Sequence, residues 1–94
     1  MTGPFAGGTG ITAAAVHERL SVALRPARLE VIDESADHAG HVGADSTVSG
    51  THFRVRIAAP DFAGQSRVAQ HRLVYDALHD FLQRGLHALA IEIV

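Results

Sequence analysis

Two histidines stand close together in a stretch of the chain that is rich in alanine and glycine. The stretch SADHAGHVG, residues 35–43, carries His38 and His41 three residues apart. Neutral imidazole is a good ligand for zinc, copper and iron. Because the neighbouring residues are too small and polar to bury these rings in a core, both histidines are candidate metal ligands. The alternative is that they are solvated loop residues.

Composition limits the kinds of protein that this chain can be. Its 94 residues are enough for one small domain, and 47% hydrophobic with 19% charged residues is typical of a globular protein. The formal net charge of -2 provides no overall basic field, so binding to nucleic acid would need a local basic patch. The absence of cysteine excludes disulfide bonds, a thiol nucleophile and a thiolate metal site supplied by this chain.

The N-terminal stretch and the lengths of the apolar runs are used to predict localisation. No apolar run approaches the roughly 20 residues that span a bilayer, and the opening MTGPFAGGTG lacks the features of a signal peptide. We therefore expect a disordered tail over residues 1–10 and one domain over residues 11–94. We also expect no membrane association and a cytoplasmic location.

Hydrophobic periodicity in the first half of the chain predicts one helix and two strands. Apolar residues at spacings of three and four, including Ala13 and Ala23, predict a helix over residues 11–24, with Thr12 as its N-cap. RLEVIDE predicts a strand over residues 28–34. Alternation in THFRVRIAA predicts a second strand over residues 51–59, with one buried face and one exposed basic face.

The second half of the chain predicts a long helix followed by a last strand. Ser66 is placed to cap a helix over residues 66–85, and Gly85 is placed to end it. LHALAIEIV predicts the final strand, over residues 86–94. The order helix-strand-strand-helix-strand predicts an α+β domain with helices packed over one face of a three-stranded mixed sheet.

This order of elements brings four histidines towards one end of the sheet. The first two strands are expected to pair antiparallel, and the helical crossover makes the second and third parallel. The loop that carries His38 and His41 then lies at the end of the sheet where the last two strands begin. His52 opens the second strand and His87 is the second residue of the third. An alternative for His87 is an interior histidine that is hydrogen-bonded near the helix end.

Several segments in this order resemble the BolA family. They are LEVIDES, THFRVRI, FAGQSRVAQHRLVYDAL and HALAI, and the similarity extends over roughly residues 12–93. The resemblance implies a fold similar to a type II KH domain. It also implies partnership with a monothiol glutaredoxin that carries a glutathione-bound [2Fe-2S] cluster.

The resemblance implies particular ligands for that cluster. The histidine of HALAI is His87, and the loop ligand is His38, four residues beyond Glu34, with His41 as the competing candidate. A chain without cysteine supplies only the imidazole ligands, so thiolates must come from the partner and glutathione. We expect no cofactor in the isolated chain, which would be a monomer or a weak homodimer.

A different interpretation is a DNA-binding transcriptional regulator. Arg67, His71 and Arg72 at the start of the long helix are placed to contact phosphates. The GxxG clamp of KH domains is incomplete, since the corresponding turn, FAGQSR, has Gly64 alone. The arginines are alternatively a solvated helix face.

An enzyme is the least supported class. Two acidic pairs, Asp33 with Glu34 and Asp76 with Asp80, belong to no recognisable catalytic pattern. We expect no intrinsic catalysis.

Overall fold

The computed structural model describes residues 10–35 and 51–94. The tail predicted over residues 1–10 lies almost wholly outside the described residues, and so do His38 and His41. The predicted order of elements is confirmed, and so is the α+β class. The helices are α1 (Ala13–Leu24), α2 (Arg67–Ala77) and α3 (His79–Gln83), the strands are β1 (Arg28–Asp33), β2 (His52–Ala58) and β3 (Ala88–Ile93), and a 3-10 turn covers Pro60–Phe62.

Helix α1 has the predicted N-cap and the predicted end, and it begins at Ala13, two residues later than the predicted range. The hydroxyl of Thr12 accepts a hydrogen bond from the Ala15 N–H at 3.0 Å, which satisfies one of the free donors of the first turn. Arg25 ends the helix in the left-handed conformation, with φ of 47°. The predicted apolar stripe was wrong at Ala23, which is exposed, because the four-residue spacing continues instead to Leu24. The buried residues of α1 are Val16, Leu20 and Leu24.

The three strands form one mixed sheet in the order β1-β2-β3. Strands β1 and β2 pair antiparallel, and β2 and β3 pair parallel, as predicted. The register sets Asp33 opposite Phe53 and His52 opposite Ala88. The end of β1 and the starts of β2 and β3 therefore lie together at one end of the sheet.

The core lies between one face of this sheet and the helices. Phe53, Val55 and Ile57 of the central strand are fully buried on that face. Removing this apolar surface from water is the main force that holds helices and sheet together. The helices contribute Val16, Leu20, Leu24, Val74, Leu78 and Phe81.

The long second helix was predicted as continuous, and that prediction was wrong at Leu78. There the N–H donates to the carbonyl of Tyr75 as well as to the usual acceptor one residue earlier, which tightens the turn and separates α2 from α3. The guanidinium of Arg19 donates to the Ala77 carbonyl at 3.3 Å and stabilises the break from the side of α1. The end after α3 was predicted correctly, since Gly85 adopts a φ of 118° that favours glycine.

The exposed face of the sheet was predicted to be basic, and that prediction was also wrong. Arg54 donates to Glu34 at 2.9 Å and to Glu92 at 2.6 Å. Arg56 donates to Glu92 at 2.9 Å and to Glu30 at 3.5 Å. The strand register aligns Glu30 and Glu92 with Arg56, so carboxylates from both outer strands pair with the arginines of the central strand. The hydrogen bond from Arg54 lowers the pKa of the Glu92 carboxyl.

Candidate functional site

His52 and His87 lie side by side at the end of the sheet where β2 and β3 begin. The N–H groups of His87 and Ala88 donate to the carbonyl of Thr51 at 2.6 and 3.0 Å. The ring centroids of the two histidines are 6.0 Å apart, at an interplanar angle of 72°. The structure therefore brings together two of the four histidines that the topology predicts at this end.

We call this region the histidine end and define it as residues 33–35, 51–52 and 87–88. His38 and His41 belong to the segment that joins its first two parts along the sequence, and they lie outside the described residues.

The two imidazoles differ in exposure. His87 precedes β3 by one residue instead of lying within the strand, and it is exposed, so the alternative of an interior histidine is wrong. His52 is half-buried, and its Nδ1 lies 2.9 Å from the hydroxyl of Thr51. The tautomer of the His52 ring decides which of these two atoms donates.

Sequence reasoning missed a buried serine that links the end of β1 to the start of β2 through hydrogen bonds. Ser35 is 1% exposed, and its hydroxyl donates to Oδ1 of Asp33 at 2.6 Å. The hydroxyl oxygen of Ser35 accepts the N–H groups of Thr51 at 2.9 Å and His52 at 3.0 Å. The Ser35 N–H also donates to Oδ1 of Asp33, at 2.9 Å. The signal available in the sequence was the spacing Asp-x-Ser, because an aspartate often accepts the N–H two residues ahead.

The donors at the histidine end suit a metal that takes nitrogen ligands. Imidazole nitrogen binds iron, zinc and copper. Within residues 10–35 and 51–94, no group of three or more histidine, cysteine or acidic residues is arranged to hold a metal ion. A metal group bound by the exposed His87 would therefore take most of its ligands from outside the described residues.

The candidate DNA-contacting residues lie on the first turns of α2. Ser66 caps this helix, its hydroxyl accepting the Ala69 N–H at 3.1 Å. Arg67 and Arg72 are exposed, whereas His71 is half-buried. Arg67 and His71 line a groove together with the C-terminal half of β3, at residues 91–93. The structure therefore brings the three predicted side chains to one end of α2.

Three of the four acidic residues considered for catalysis, Asp33, Glu34 and Asp80, have structural partners. Asp33 accepts from Ser35, and Glu34 accepts from Arg54. Asp80 pairs with Arg19, whose guanidinium also lies over the ring of Phe81, 4.5 Å from its centroid. The hydrogen bond from Arg19 lowers the pKa of the Asp80 carboxyl.

The fold and the sequence both match one family of proteins. The family described as BolA-like protein matches residues 20–94. A protein of Sinorhizobium sp., described as an uncharacterized protein in the cobS 5′ region, is 48% identical over 77 residues, covering 82% of this chain and 83% of its own length. The chloroplastic protein BOLA1 of Arabidopsis thaliana is 42% identical over 91 residues, covering 96% of this chain and 57% of the relative.

A solved structure agrees with these relatives. The BolA domain of SufE1 from Arabidopsis thaliana superposes with a TM-score of 0.75 at 46% identity, covering 86% of this chain and 87% of that domain. This chain belongs to the BolA family. Over the part of the chain that the structure describes, no helix has the length and apolar character needed to cross a membrane.

Proposed function

We propose that this chain forms a complex with a monothiol glutaredoxin and supplies histidine ligands to a glutathione-bound [2Fe-2S] cluster. The complex would serve cluster trafficking or the sensing of iron and redox state. The observation that carries the proposal is the exposed imidazole of His87 on a backbone that is hydrogen-bonded to Thr51, beside His52. Membership of the BolA family supports it.

His87 is the first ligand in this proposal because its main chain is fixed while its side chain reaches solvent. Its N–H is held at 2.6 Å by a carbonyl of the neighbouring strand end. A ligand on a fixed backbone loses little conformational entropy when it binds a metal. Exposure allows the iron to arrive on another protein instead of through the core.

The second ligand in the proposal is His38, with His41 as the alternative. His38 follows the buried Ser35 by three residues, and three residues of extended chain reach at most about 11 Å. His41 follows Ser35 by six residues, a reach of at most about 22 Å. Because Ser35 binds Thr51 and Thr51 binds His87, the shorter separation along the sequence favours His38 as the second ligand.

The donor chemistry of the chain assigns the remaining ligands to the partner. Cysteine is absent from all 94 residues, so this chain can offer imidazole and no thiolate. A [2Fe-2S] cluster with two histidines on one iron and two thiolates on the other has a raised reduction potential. In the proposed complex the thiolates come from the glutaredoxin and from glutathione, and the isolated chain holds no cofactor.

Mixing the chain with a cluster-loaded monothiol glutaredoxin tests the proposal. Visible absorption and circular dichroism should change on addition of the wild-type chain, and His87→Ala should abolish the change. His38→Ala and His41→Ala, taken separately, identify the loop ligand. His79→Ala is the matched control, since His79 is exposed on α3 and lies outside the histidine end. Identical spectra with the wild-type chain and His87→Ala would refute shared ligation.

DNA binding is the second candidate, and one observation favours it. Arg67 and Arg72 form no ion pair with any described residue, and they share the start of α2 with His71. Their cationic groups are thus available for phosphates. A duplex-binding titration should weaken steeply with salt and with the double substitution Arg67→Ala and Arg72→Ala, but not with Arg28→Ala on β1. Affinity that is insensitive to salt and to both arginines would eliminate this candidate.

The proposed role is that of an accessory protein without catalytic activity of its own. Asp33, Glu34 and Asp80 are engaged by Ser35, Arg54 and Arg19 respectively. Turnover by the purified chain would contradict this part of the proposal. A cytoplasmic location and a monomer or weak homodimer remain predictions, and one relative is named as chloroplastic.

A further inference from the structure

We infer that Ser35 is a positioning residue for the proposed cluster site, because it fixes the peptide group on which the backbone of His87 is held. The inference rests on the proposed function, since it assigns the buried serine a role in presenting the cluster ligand. Ser35 lies one residue beyond Glu34 in the chain and does not belong to the candidate ligands.

The hydroxyl of Ser35 is fully used. A serine hydroxyl has one donor and two acceptor sites. Here the donor is taken by Asp33 at 2.6 Å, and the acceptor sites are taken by the N–H groups of Thr51 and His52 at 2.9 and 3.0 Å. With 1% exposure, the group has almost no contact with bulk water. Such a saturated, buried hydroxyl has one favourable orientation and specifies the positions of all three partners.

A single peptide plane transmits this constraint to His87. The N–H of His52, which Ser35 binds, and the carbonyl of Thr51 belong to the same peptide group. That group is planar and trans, so its N–H and carbonyl point in opposite directions as one rigid unit. The carbonyl accepts the N–H groups of His87 and Ala88 at 2.6 and 3.0 Å. Ser35 therefore binds the N–H side of this peptide group, and the start of β3 is hydrogen-bonded to its carbonyl side.

Asp33 sets the orientation of the hydroxyl. Its Oδ1 accepts both the N–H and the hydroxyl of Ser35, so the hydroxyl proton is directed away from the peptide plane. The lone pairs of the Ser35 oxygen are then left for Thr51 and His52. Asparagine at position 33 keeps a side-chain oxygen that can accept these bonds, whereas alanine does not.

The first test uses the free protein and needs no cluster. Ser35→Ala should speed amide hydrogen exchange at His87 and Ala88, on the far side of the peptide plane, about tenfold or more relative to the wild type. Ser21→Ala is the control, because Ser21 lies on α1 and, among the described residues, its hydroxyl is within hydrogen-bonding distance of the His17 side chain alone, at 3.4 Å. Unchanged exchange at His87 and Ala88 in Ser35→Ala would overturn the inference.

The second test measures the affinity for a cluster-loaded monothiol glutaredoxin at a temperature where every variant is folded. Substituting groups that orient metal ligands commonly costs about 10- to 100-fold in affinity, and we expect about a tenfold loss for Ser35→Ala. Asp33→Ala should show a smaller loss, and Asp33→Asn should retain affinity close to the wild type. If Ser35→Ala does not fold, the pair Asp33→Ala and Asp33→Asn decides the matter in the same assay.

The outcomes separate this inference from the function on which it rests. If His87→Ala binds the cluster-loaded partner as well as the wild type does, the proposed function fails. If His87→Ala loses binding while Ser35→Ala and Asp33→Ala keep wild-type affinity, the function stands and Ser35 has only a structural role. Reduced affinity in folded Ser35→Ala, with recovery from Asp33→Ala to Asp33→Asn, supports positioning.

Discussion

The histidine end and the exposed face of the sheet show two ways of joining the same three strands through polar groups. At the histidine end, the neutral hydroxyl of Ser35 is buried and binds backbone N–H groups of the strand openings. On the exposed face, Arg54 and Arg56 pair with carboxylates that remain partly open to solvent. Water can replace the partners of the exposed charges but has almost no access to those of the buried hydroxyl.

This difference indicates that the burial of a polar group matters more than its charge for the geometry of the sheet. Exposed ion pairs contribute little and are screened by salt. A buried hydrogen-bonding group whose partner is removed bears the full cost of desolvation. We therefore expect the geometry at the starts of β2 and β3 to depend more strongly on the uncharged side chain of Ser35 than on the ion pairs of the exposed face.

Ser35→Ala is expected to have the largest effect on stability. It removes the buried acceptor of two N–H groups and should lower the free energy of unfolding by about 2 to 3 kcal/mol. Urea denaturation followed by circular dichroism measures the change. Ser21→Ala, on α1, should stay within about 0.5 kcal/mol of the wild type. Equal losses of unfolding free energy in Ser35→Ala and Ser21→Ala would contradict the importance given to the buried hydroxyl.

Asp33→Ala should have the next largest effect. It removes the acceptor of the Ser35 hydroxyl but leaves the serine oxygen available to the N–H groups of Thr51 and His52. We expect less than half of the loss caused by Ser35→Ala, measured by the same denaturation. Asp33→Asn should recover most of the stability, because an amide oxygen can accept the same bonds. If Asp33→Asn were as unstable as Asp33→Ala, the negative charge of Asp33, and not its accepting oxygen, would be the source of the stabilisation.

Arg54→Gln should have a smaller effect that depends on salt. The substitution removes the ion pairs with Glu34 and Glu92 while keeping much of the side-chain length. At low ionic strength a modest loss of stability should be measurable, and it should shrink in high salt because exposed charges are screened. Arg28→Gln at the exposed start of β1 is the control. A loss as large as that of Ser35→Ala, unaffected by salt, would contradict the comparison.

The smallest effect should be a contribution of the ion pairs to acid sensitivity. Hydrogen bonds from arginine lower the folded-state pKa of Asp80 and of Glu92. Their stabilisation is therefore fully present above the unfolded-state pKa of about 4, and it is lost as the pH falls through the lower folded-state pKa. Arg19→Gln should flatten this acid dependence, measured as the free energy of unfolding at several pH values. Ser21→Ala should leave it parallel to that of the wild type, and an unchanged slope in Arg19→Gln would refute the assignment.

The sequence predicted those parts of the fold that depend on neighbours along the chain. Thr12 and Ser66 cap their helices as expected, and the periodicity of β2 identified its buried face. From the element order alone, the pairing directions of the strands followed, and with them the meeting of His52 and His87.

Apart from Ala23, whose error was local to α1, the errors arose where residues distant in the sequence meet. The break at Leu78 is accompanied by a contact from Arg19 on another helix, and local periodicity carries no sign of it. The acidic partners of Arg54 and Arg56 come from the adjacent strands, so reading β2 by itself suggested a basic face. The Asp-x-Ser spacing indicates the local bonds between Ser35 and Asp33, but the burial of Ser35 depends on the packing of three strand ends and has no local signal.

Isotope-edited pulsed electron paramagnetic resonance on the reduced complex tests shared ligation most directly. This chain would be labelled with ¹⁵N only at histidine and combined with an unlabelled, cluster-loaded monothiol glutaredoxin. The account predicts ¹⁵N hyperfine couplings from two imidazoles in the wild-type complex and their loss in His87→Ala. A complex whose cluster shows no ¹⁵N coupling, or whose couplings survive unchanged in His87→Ala, would contradict it.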